Sequence, residues 1–309
     1  MEEVYHIPVL YRETIDNIVI NRDGVYMDCT LGGGGHSQGI LESLSEKGKL
    51  IAIDQDDQAI AFASRRLQKY GDKVKIFKNN FSNMDIVAYM AGVDKFDGII
   101  MDIGVSSTQL DEAERGFSYR FDAPLDMRMD KQQKISAYNV VNEYSEEELS
   151  RIIYEYGEER FSRKIAKNIV EARKIKPVET TFELVDLIKK ATGYGGKKHP
   201  AKKTFQAIRI EVNRELDVLV EAIDKGLKLL KKGGRLGIIT FHSLEDRIVK
   251  QKFRDIEKSC ICPPDIPMCI CGKKSEAKVI TKKPITAETT ELDENNRAHS
   301  AKLRIIERT

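Results

Sequence analysis

Four consecutive glycines, Gly32-Gly33-Gly34-Gly35, stand between Leu31 and His36-Ser37, just after the short run Val25-Tyr26-Met27-Asp28. Glycine lets a backbone turn sharply and approach a ligand with no Cβ in the way. A helix opening near Ser37 would aim its free N–H groups at the same space, which suits a carboxylate or phosphate. Asp54 ends the next apolar run, Lys49-Leu50-Ile51-Ala52-Ile53, about twenty residues on, where an acid can accept hydrogen bonds from ribose hydroxyls. A third acid, Asp102, ends Phe96-Asp97-Gly98-Ile99-Ile100-Met101. Taken singly, Asp28 and Asp54 also read as loop braces, and Asp56 as a helix cap. Together with the glycine loop, they point to a nucleotide-like ligand.

The spacing narrows the ligand. A dinucleotide fingerprint wants a third glycine where this chain has Ser37. The pattern acid-x-Gly-x-Gly-x-Gly, associated with S-adenosylmethionine, fits Asp28-Cys29-Thr30-Leu31-Gly32-Gly33-Gly34, with Thr30 replacing its first glycine. The turn Lys231-Lys232-Gly233-Gly234-Arg235-Leu236 resembles one found before the fifth strand of many methyltransferases.

These residues need a scaffold, and the surrounding sequence alternates strand and helix. Strands are expected at 25–28, 49–54, 74–77, 96–102, 235–241 and 302–306, with helices at 37–46, 57–70 and 84–91 between the first four. The continuous apolar character of the strands implies a parallel sheet covered on both faces. From 103 to 130 the period is lost; 136 to about 190 then reads as helical, with Ser145-Glu146-Glu147-Glu148 as a capping box and a helix over 161–174. A further helix is expected from Val212 to Leu230, and another from Ser243. The reading is an α/β sheet domain from 1–108 and 212–309, interrupted by a mainly helical domain at 109–211.

Composition limits the function classes. Hydrophobic residues make up 41% of the 309 and charged residues 32%, with a net charge of +2. No apolar stretch is long enough for a membrane span, and residues 1–6 lack a secretion signal's basic and apolar regions; a cytoplasmic protein without membrane association is expected. Between Lys189 and Arg214 eight basic residues (Lys189, Lys190, Lys197, Lys198, Lys202, Lys203, Arg209 and Arg214) face one acid, Glu211. That is either a solvated face or a phosphate-binding surface. Cys29 reads as a small buried hydrophobe. Cys260, Cys262, Cys269 and Cys271 either hold zinc, at spacings tighter than usual, or belong to a loop shaped by its prolines.

Longer segments carry a specific resemblance. They are Asp102-Ile103-Gly104-Val105-Ser106-Ser107-Thr108-Gln109-Leu110-Asp111, Arg115-Gly116-Phe117-Ser118, Pro124-Leu125-Asp126-Met127-Arg128-Met129-Asp130, Thr240-Phe241-His242-Ser243-Leu244-Glu245-Asp246-Arg247 and Asn296-Arg297-Ala298-His299-Ser300-Ala301-Lys302-Leu303-Arg304. From His6-Ile7-Pro8 to the last strand, the chain resembles the bacterial RsmH (MraW) family of ribosomal RNA cytosine-N4 methyltransferases. The resemblance implies a Rossmann-like class I methyltransferase sheet with an inserted helical, RNA-recognising domain. It also implies S-adenosyl-L-methionine as cofactor and one cytosine in the decoding region of 16S rRNA, in the small ribosomal subunit, as substrate. Carried onto this sequence, its cofactor contacts fall on Gly34, Gly35, His36, Asp54, Phe81, Asp102 and Gln109.

The exocyclic nitrogen of cytosine is a poor nucleophile, because its lone pair is delocalised into the ring. Acceptors against its N–H groups would favour pyramidal nitrogen and take up the lost proton; Asp102, Ser106 and Ser107 are the candidates. Methylation at ring carbon five would need a cysteine nucleophile near this loop, and none is there. DNA amino-methyltransferases carry an acid or amide, two prolines and an aromatic at this point, where this chain has Asp102-Ile103-Gly104-Val105. Arg115, Arg120 and Arg128, interleaved with Phe117, Tyr119 and Phe121, either stack on bases and grip phosphates or pack the loop. A non-catalytic RNA-binding factor is the remaining alternative. The oligomeric state is left open.

Overall fold

The computed structural model describes residues 8–193, 199–263 and 269–309. The expectations for residues 1–6, the break at 194–196, Lys197, Lys198, Pro264 and Pro267 lie outside the described residues. Strands β1 (Val25–Asp28), β2 (Lys49–Asp54), β3 (Val74–Lys78), β4 (Phe96–Asp102), β5 (Leu230–Thr240), β6 (Ala277–Val279) and β7 (Lys302–Arg308) form one seven-stranded sheet of order β3-β2-β1-β4-β5-β7-β6. The helices α1 (Tyr11–Ile18), α2 (Gly35–Ser43), α3 (Asp57–Leu67) and α4 (Met84–Ala91) precede the inserted unit. Within that unit run α5 (Ser107–Asp111), α6 (Ala137–Glu143), α7 (Glu146–Glu155), α8 (Ser162–Arg173), α9 (Thr181–Thr192) and α10 (Lys202–Asn213). The chain continues through α11 (Glu215–Leu229), α12 (Ser243–Glu257) and α13 (Thr289–Glu294). Among the described residues no helix is long and apolar enough to cross a membrane.

The chain divides into two compact units, Met1–Gly104 with Leu216–Thr309, and Val105–Glu215. These bounds differ by a few residues from the 108/109 and 211/212 expected from sequence. In the first unit β1 to β5 are parallel, and β7 runs antiparallel between β5 and β6. Alternation assigns the two faces. Met27, Ile51, Ile53, Ile99 and Met101 enter one core, while Tyr26, Leu50, Ala52 and Ile100 enter the other. The chain runs β1-β2-β3 to one side and β4-β5 to the other, so the strand order reverses between β1 and β4. In open α/β sheets the crevice at such a reversal, outside the carboxyl ends of the strands, is where ligands bind. Asp28, Asp54 and Asp102 are the last residues of β1, β2 and β4.

The second unit is helical, with an apolar core that includes Val140, Leu149, Ile152, Ile165, Ile169, Leu184, Ile188 and Ile208. The Ser145 capping box opens α7 as its sequence indicates, with Ser145 Oγ accepting the Glu148 N–H and Glu148 returning to the Ser145 N–H at 2.8 Å.

Several expectations are corrected. The helix expected from Val212 is interrupted at Arg214, whose φ of 49° ends α10 before α11 starts. The Lys231-Lys232-Gly233-Gly234 turn does not precede the strand: β5 starts at Leu230, and these residues form an irregularity where pairing passes from Phe96↔Leu230 to Gly98↔Arg235. Helices α1 and α13 and strand β6, of eight, six and three residues, were not anticipated, because so few residues repeat a period barely more than once or twice.

Helix α1 reaches the sheet over two glycines. A Cβ on Gly98 would lie 2.8 Å from Ile18 Cγ2 and Tyr26 Cδ1, and one on Gly237 would lie 2.7 Å from Ile18 Cδ1. Replacing Gly98 with alanine therefore overpacks this contact, and we expect Gly98→Ala to lose about 1–3 kcal/mol of stability. In urea unfolding the midpoint should fall while the slope is unchanged; an unaltered midpoint would show that α1 is free to move away.

Candidate functional site

The site is built on a buried carboxylate. Asp28 is 1% exposed at the end of β1. Its Oδ2 accepts a hydrogen bond from the Ser37 hydroxyl at 2.7 Å, and its Oδ1 accepts the Thr30 N–H at 3.0 Å. Thr30 Oγ1 in turn accepts the Asp102 N–H at 2.6 Å. These bonds tie the first turn of α2, the loop after β1 and the end of β4 into one network. Thr30 and Ser37 are the two positions where the chain departs from glycine patterns. Their hydroxyls explain the departures: that of Ser37 bonds Asp28, whose pKa burial raises and this hydrogen bond lowers, and that of Thr30 holds the Asp102 N–H.

Glycine shapes the loop itself. Gly32 and Gly34 take φ values of 49° and 73°, the left-handed region, and Gly34 is the N-cap residue of α2, so no side chain caps that helix. A Cβ on Gly35 would come within 2.5 Å of Pro8 Cγ. Asp54 Oδ2 accepts the Gly32 N–H at 2.8 Å and its Oδ1 accepts the Asp56 N–H at 2.9 Å, so Asp54 braces the loop directly. Burial pushes Asp54 up to about 6 against these two hydrogen bonds. Asp56 caps α3 by accepting the Gln58 N–H.

His36 is 6% exposed, and its Nε2 lies 3.1 Å from the Val9 carbonyl oxygen. A carbonyl can only accept, so Nε2 carries the hydrogen and Nδ1 is left as an acceptor. Burial lowers the pKa of His36, which keeps the ring neutral at neutral pH. Its Nδ1 is 3.8 Å from Asp102 Oδ2, too far for a hydrogen bond. The other oxygen of Asp102, Oδ1, is buried and has no hydrogen-bond partner among the described residues. Burial pushes Asp102 up to about 6; the positive charge of Arg297 pulls the other way, and Glu245 adds to the rise.

The expected residues are not all in one network. Gly34, Gly35, His36, Asp54 and Asp102 surround the loop at the carboxyl edge of the sheet. Phe81 opens a single 3₁₀ turn after β3 and is half-buried against the core face of Met27 and Ile51. Its segment is held to the site through the Asn79 N–H, which donates to the Asp54 carbonyl at 2.8 Å. Ser106 and Gln109 belong to the second unit and engage each other. Gln109 Oε1 accepts the Ser106 N–H at 3.1 Å, and the Gln109 N–H donates to Ser106 Oγ at 3.2 Å. Ser107 is the first residue of α5, and its side chain lies outside the described part. Thr30, Val9 and Arg297 were missed as site residues. Thr30 left a signal, a hydroxyl residue where the pattern has glycine; Val9 acts through its backbone and left none. His242 is the N-cap residue of α12, and Glu245 reaches back to the Phe241 and His242 N–H groups at 2.8 and 3.1 Å.

The basic-aromatic stretch of the second unit also divides. Arg115 is 4% exposed and donates to the Arg128 and Met129 carbonyls, Phe117 is buried in the core, and Arg128 forms an ion pair with Asp126 at 2.7 Å. These three pack the loop. Tyr119, in contrast, stacks on His199 with ring centroids 4.4 Å apart, in a depression also lined by Arg120, Phe182 and Lys189.

Comparison with known proteins places the chain in a family. A curated Fusobacterium nucleatum subsp. nucleatum protein named ribosomal RNA small subunit methyltransferase H is 67% identical over 304 residues, covering 98% of this chain and 97% of its own. Proteins of the same name from Clostridium botulinum (strain Kyoto, type A2) and Lachnospira eligens are 58% and 57% identical, over 305 and 311 residues. Those matches cover 98% and 99% of this chain, and 98% of each relative. The model of the MraW methylase family matches residues 3–309, and the chain belongs to that family.

Proposed function

We propose that this protein transfers a methyl group from S-adenosyl-L-methionine to the exocyclic N4 amine of a cytosine in the decoding region of 16S rRNA, in the small ribosomal subunit. Family membership and the relatives' names support rRNA methylation, and the motif resemblance supports N4 of cytosine. The observation that carries the chemistry is Asp102 Oδ1, a buried carboxylate oxygen without a partner at the strand-order reversal. Such an atom is costly to leave unpaired and fits a ligand that is positively charged or bears an N–H.

The bound donor supplies a sulfonium-activated methyl, so the protein's main task is alignment. The uncapped start of α2 offers N–H groups to a carboxylate. Asp54 retains lone pairs for ribose hydroxyls beside the two N–H groups it already accepts. Phe81 offers an apolar face for adenine. Asp102, ionised above about 6, accepts an N–H of the cytosine amine and takes the proton released as the nitrogen–carbon bond forms. Gln109 enters the proposal on the sequence resemblance, and Ser106 and Ser107 on their place in the loop after the fourth strand. In the second unit the Tyr119 depression combines stacked rings with Arg120 and Lys189, the chemistry of single-stranded RNA contact, where an unstacked base is presented.

Labelled donor offered with small subunits, naked rRNA and DNA tests the assignment. N4-methylcytidine should appear in rRNA digests, whereas transfer to DNA alone, or no donor binding by calorimetry, would sink it.

Asp102→Asn should reduce kcat by about 10²–10⁴. In the unsubstituted protein kcat/KM should rise with pH to a plateau above about 6, as Asp102 ionises. The stability effect has the opposite sign. A raised folded-state pKa means that between about pH 4 and 6 the folded protein binds more protons than the unfolded chain, so stability falls as pH rises through that window. At pH 8 Asp102→Asn should therefore be more stable, by about 1–3 kcal/mol. A variant that is both inactive and less stable would mean that the carboxylate is structural.

Arg120→Glu should raise KM for rRNA about tenfold and make its salt dependence shallower by about one unit of slope, since one phosphate contact is lost. Donor affinity should be unchanged; an unaltered KM would remove this depression from the RNA-binding surface.

A further inference from the structure

The connection from α12 to β6 has no helix or strand among its described residues. Its two Cys-x-Cys pairs are not held by apolar packing of their central residues either: Ile261 and Ile270 are 66% and 78% exposed. A long irregular loop inside a compact unit needs some other restraint. Its four cysteines converge. Cys260 Sγ lies 3.4 Å from Cys269 Sγ and 3.9 Å from Cys271 Sγ, while Cys269 Sγ lies 3.9 Å from Cys262 Sγ and 3.6 Å from Cys271 Sγ. All four sulfurs fall within 4.8 Å of one another.

These separations decide between the possible cysteine chemistries. A disulfide brings two sulfurs to about 2.05 Å, and no pair here is bonded. Four thiolates about 2.3 Å from one tetrahedral zinc ion lie about 3.8 Å apart along each edge, close to the four separations of 3.4 to 3.9 Å. Polynuclear iron–sulfur clusters put their thiolates on different iron atoms and hold them farther apart. Backbone donors are also in position: the Ile261 N–H points at Cys271 Sγ at 3.5 Å, and the Cys262 N–H at Cys260 Sγ at 3.4 Å. Such bonds stabilise sulfur carrying negative charge, as metal-bound thiolate does.

We propose that Cys260, Cys262, Cys269 and Cys271 bind one zinc ion, which folds the connection between α12 and β6. Four protein ligands leave no open coordination position, so the ion is structural and takes no part in methyl transfer. It draws together the two Cys-x-Cys pairs, and it fixes the exit of α12. That exit is bonded to the far end of the loop through Lys273 Nζ on the Asp255 carbonyl and the Glu276 N–H on the Ile256 carbonyl.

Elemental analysis of the full chain, purified under reducing conditions without added chelator, should find one zinc per chain. Cys262→Ser with Cys269→Ser should abolish that zinc and lower Tm, while calorimetric affinity for S-adenosylmethionine is retained. Should the variant fail to fold, the unsubstituted protein still answers: cobalt(II) exchanged into it should give a thiolate-to-cobalt charge-transfer band and the intense visible bands of tetrahedral coordination. A preparation with no zinc above background and no such bands with cobalt would overturn the proposal. So would the four cysteines recovered as disulfides, or stoichiometric iron in place of zinc.

Discussion

A carboxylate buried at the end of β1 has to be saturated with hydrogen bonds or it destabilises the fold by several kcal/mol. Asp28 meets that requirement through the Thr30 N–H and the Ser37 hydroxyl, and the position of the rest of the site follows from it. Ser37 is in the first turn of α2, so its bond sets where that helix starts relative to the sheet. Thr30, held at its N–H, presents its hydroxyl oxygen to the Asp102 N–H and thereby couples the glycine loop to β4. Asp54 adds a second brace at Gly32. The glycine loop is flexible in composition, yet it is fixed by carboxylates from two adjacent parallel strands.

Asp102 has the opposite character. It sits one strand from Asp28 with a buried oxygen that the protein leaves unpaired, beside a histidine kept neutral by burial and held in one tautomer by the Val9 carbonyl. A protonated His36 would have supplied a counter-charge; a neutral one leaves Asp102 available. Its pKa of about 6 places the group near the value where a proton acceptor is both ionised and basic at neutral pH. The same desolvation that raises it works against folding, so chemistry and stability are opposed at this residue.

Basic residues in the inserted unit show how little charge type alone determines. Arg115 and Arg128 spend their guanidinium groups on internal carbonyls and on Asp126, whereas Arg120 stands by an aromatic pair in a surface depression. The difference lies in burial. Arg115 is enclosed with Phe117 where the loop folds over Gly116, whose φ of 67° and close approach to the Pro124 carbonyl leave no room for a side chain. Cys29, read as a buried hydrophobe, is that: it joins the core face of Met27, and burial raises its thiol pKa well above the usual range.

The sequence by itself determined the α/β sheet and the bounds of β1, β2 and β4, because fully buried parallel strands are continuous apolar runs with sharp polar ends. It also determined the glycine loop and the acids at the strand ends, since local spacing encodes where a chain turns and what it offers there. Only the tertiary structure decided that Thr30 and Ser37 serve Asp28, that His36 is neutral, and that Asp102 keeps an unpaired oxygen. Those properties depend on which groups meet across the sheet and how much water is excluded, and neither is local in sequence. The break at Arg214 and the irregularity at 231–234 went unread for a related reason: helical period and turn composition were satisfied on both sides, and strand pairing with Phe96 and packing of the core chose otherwise. The cysteines stood between the two cases. Their spacing left both zinc and a proline-shaped loop open, and the meeting of four sulfurs across the loop is a property of the folded chain alone.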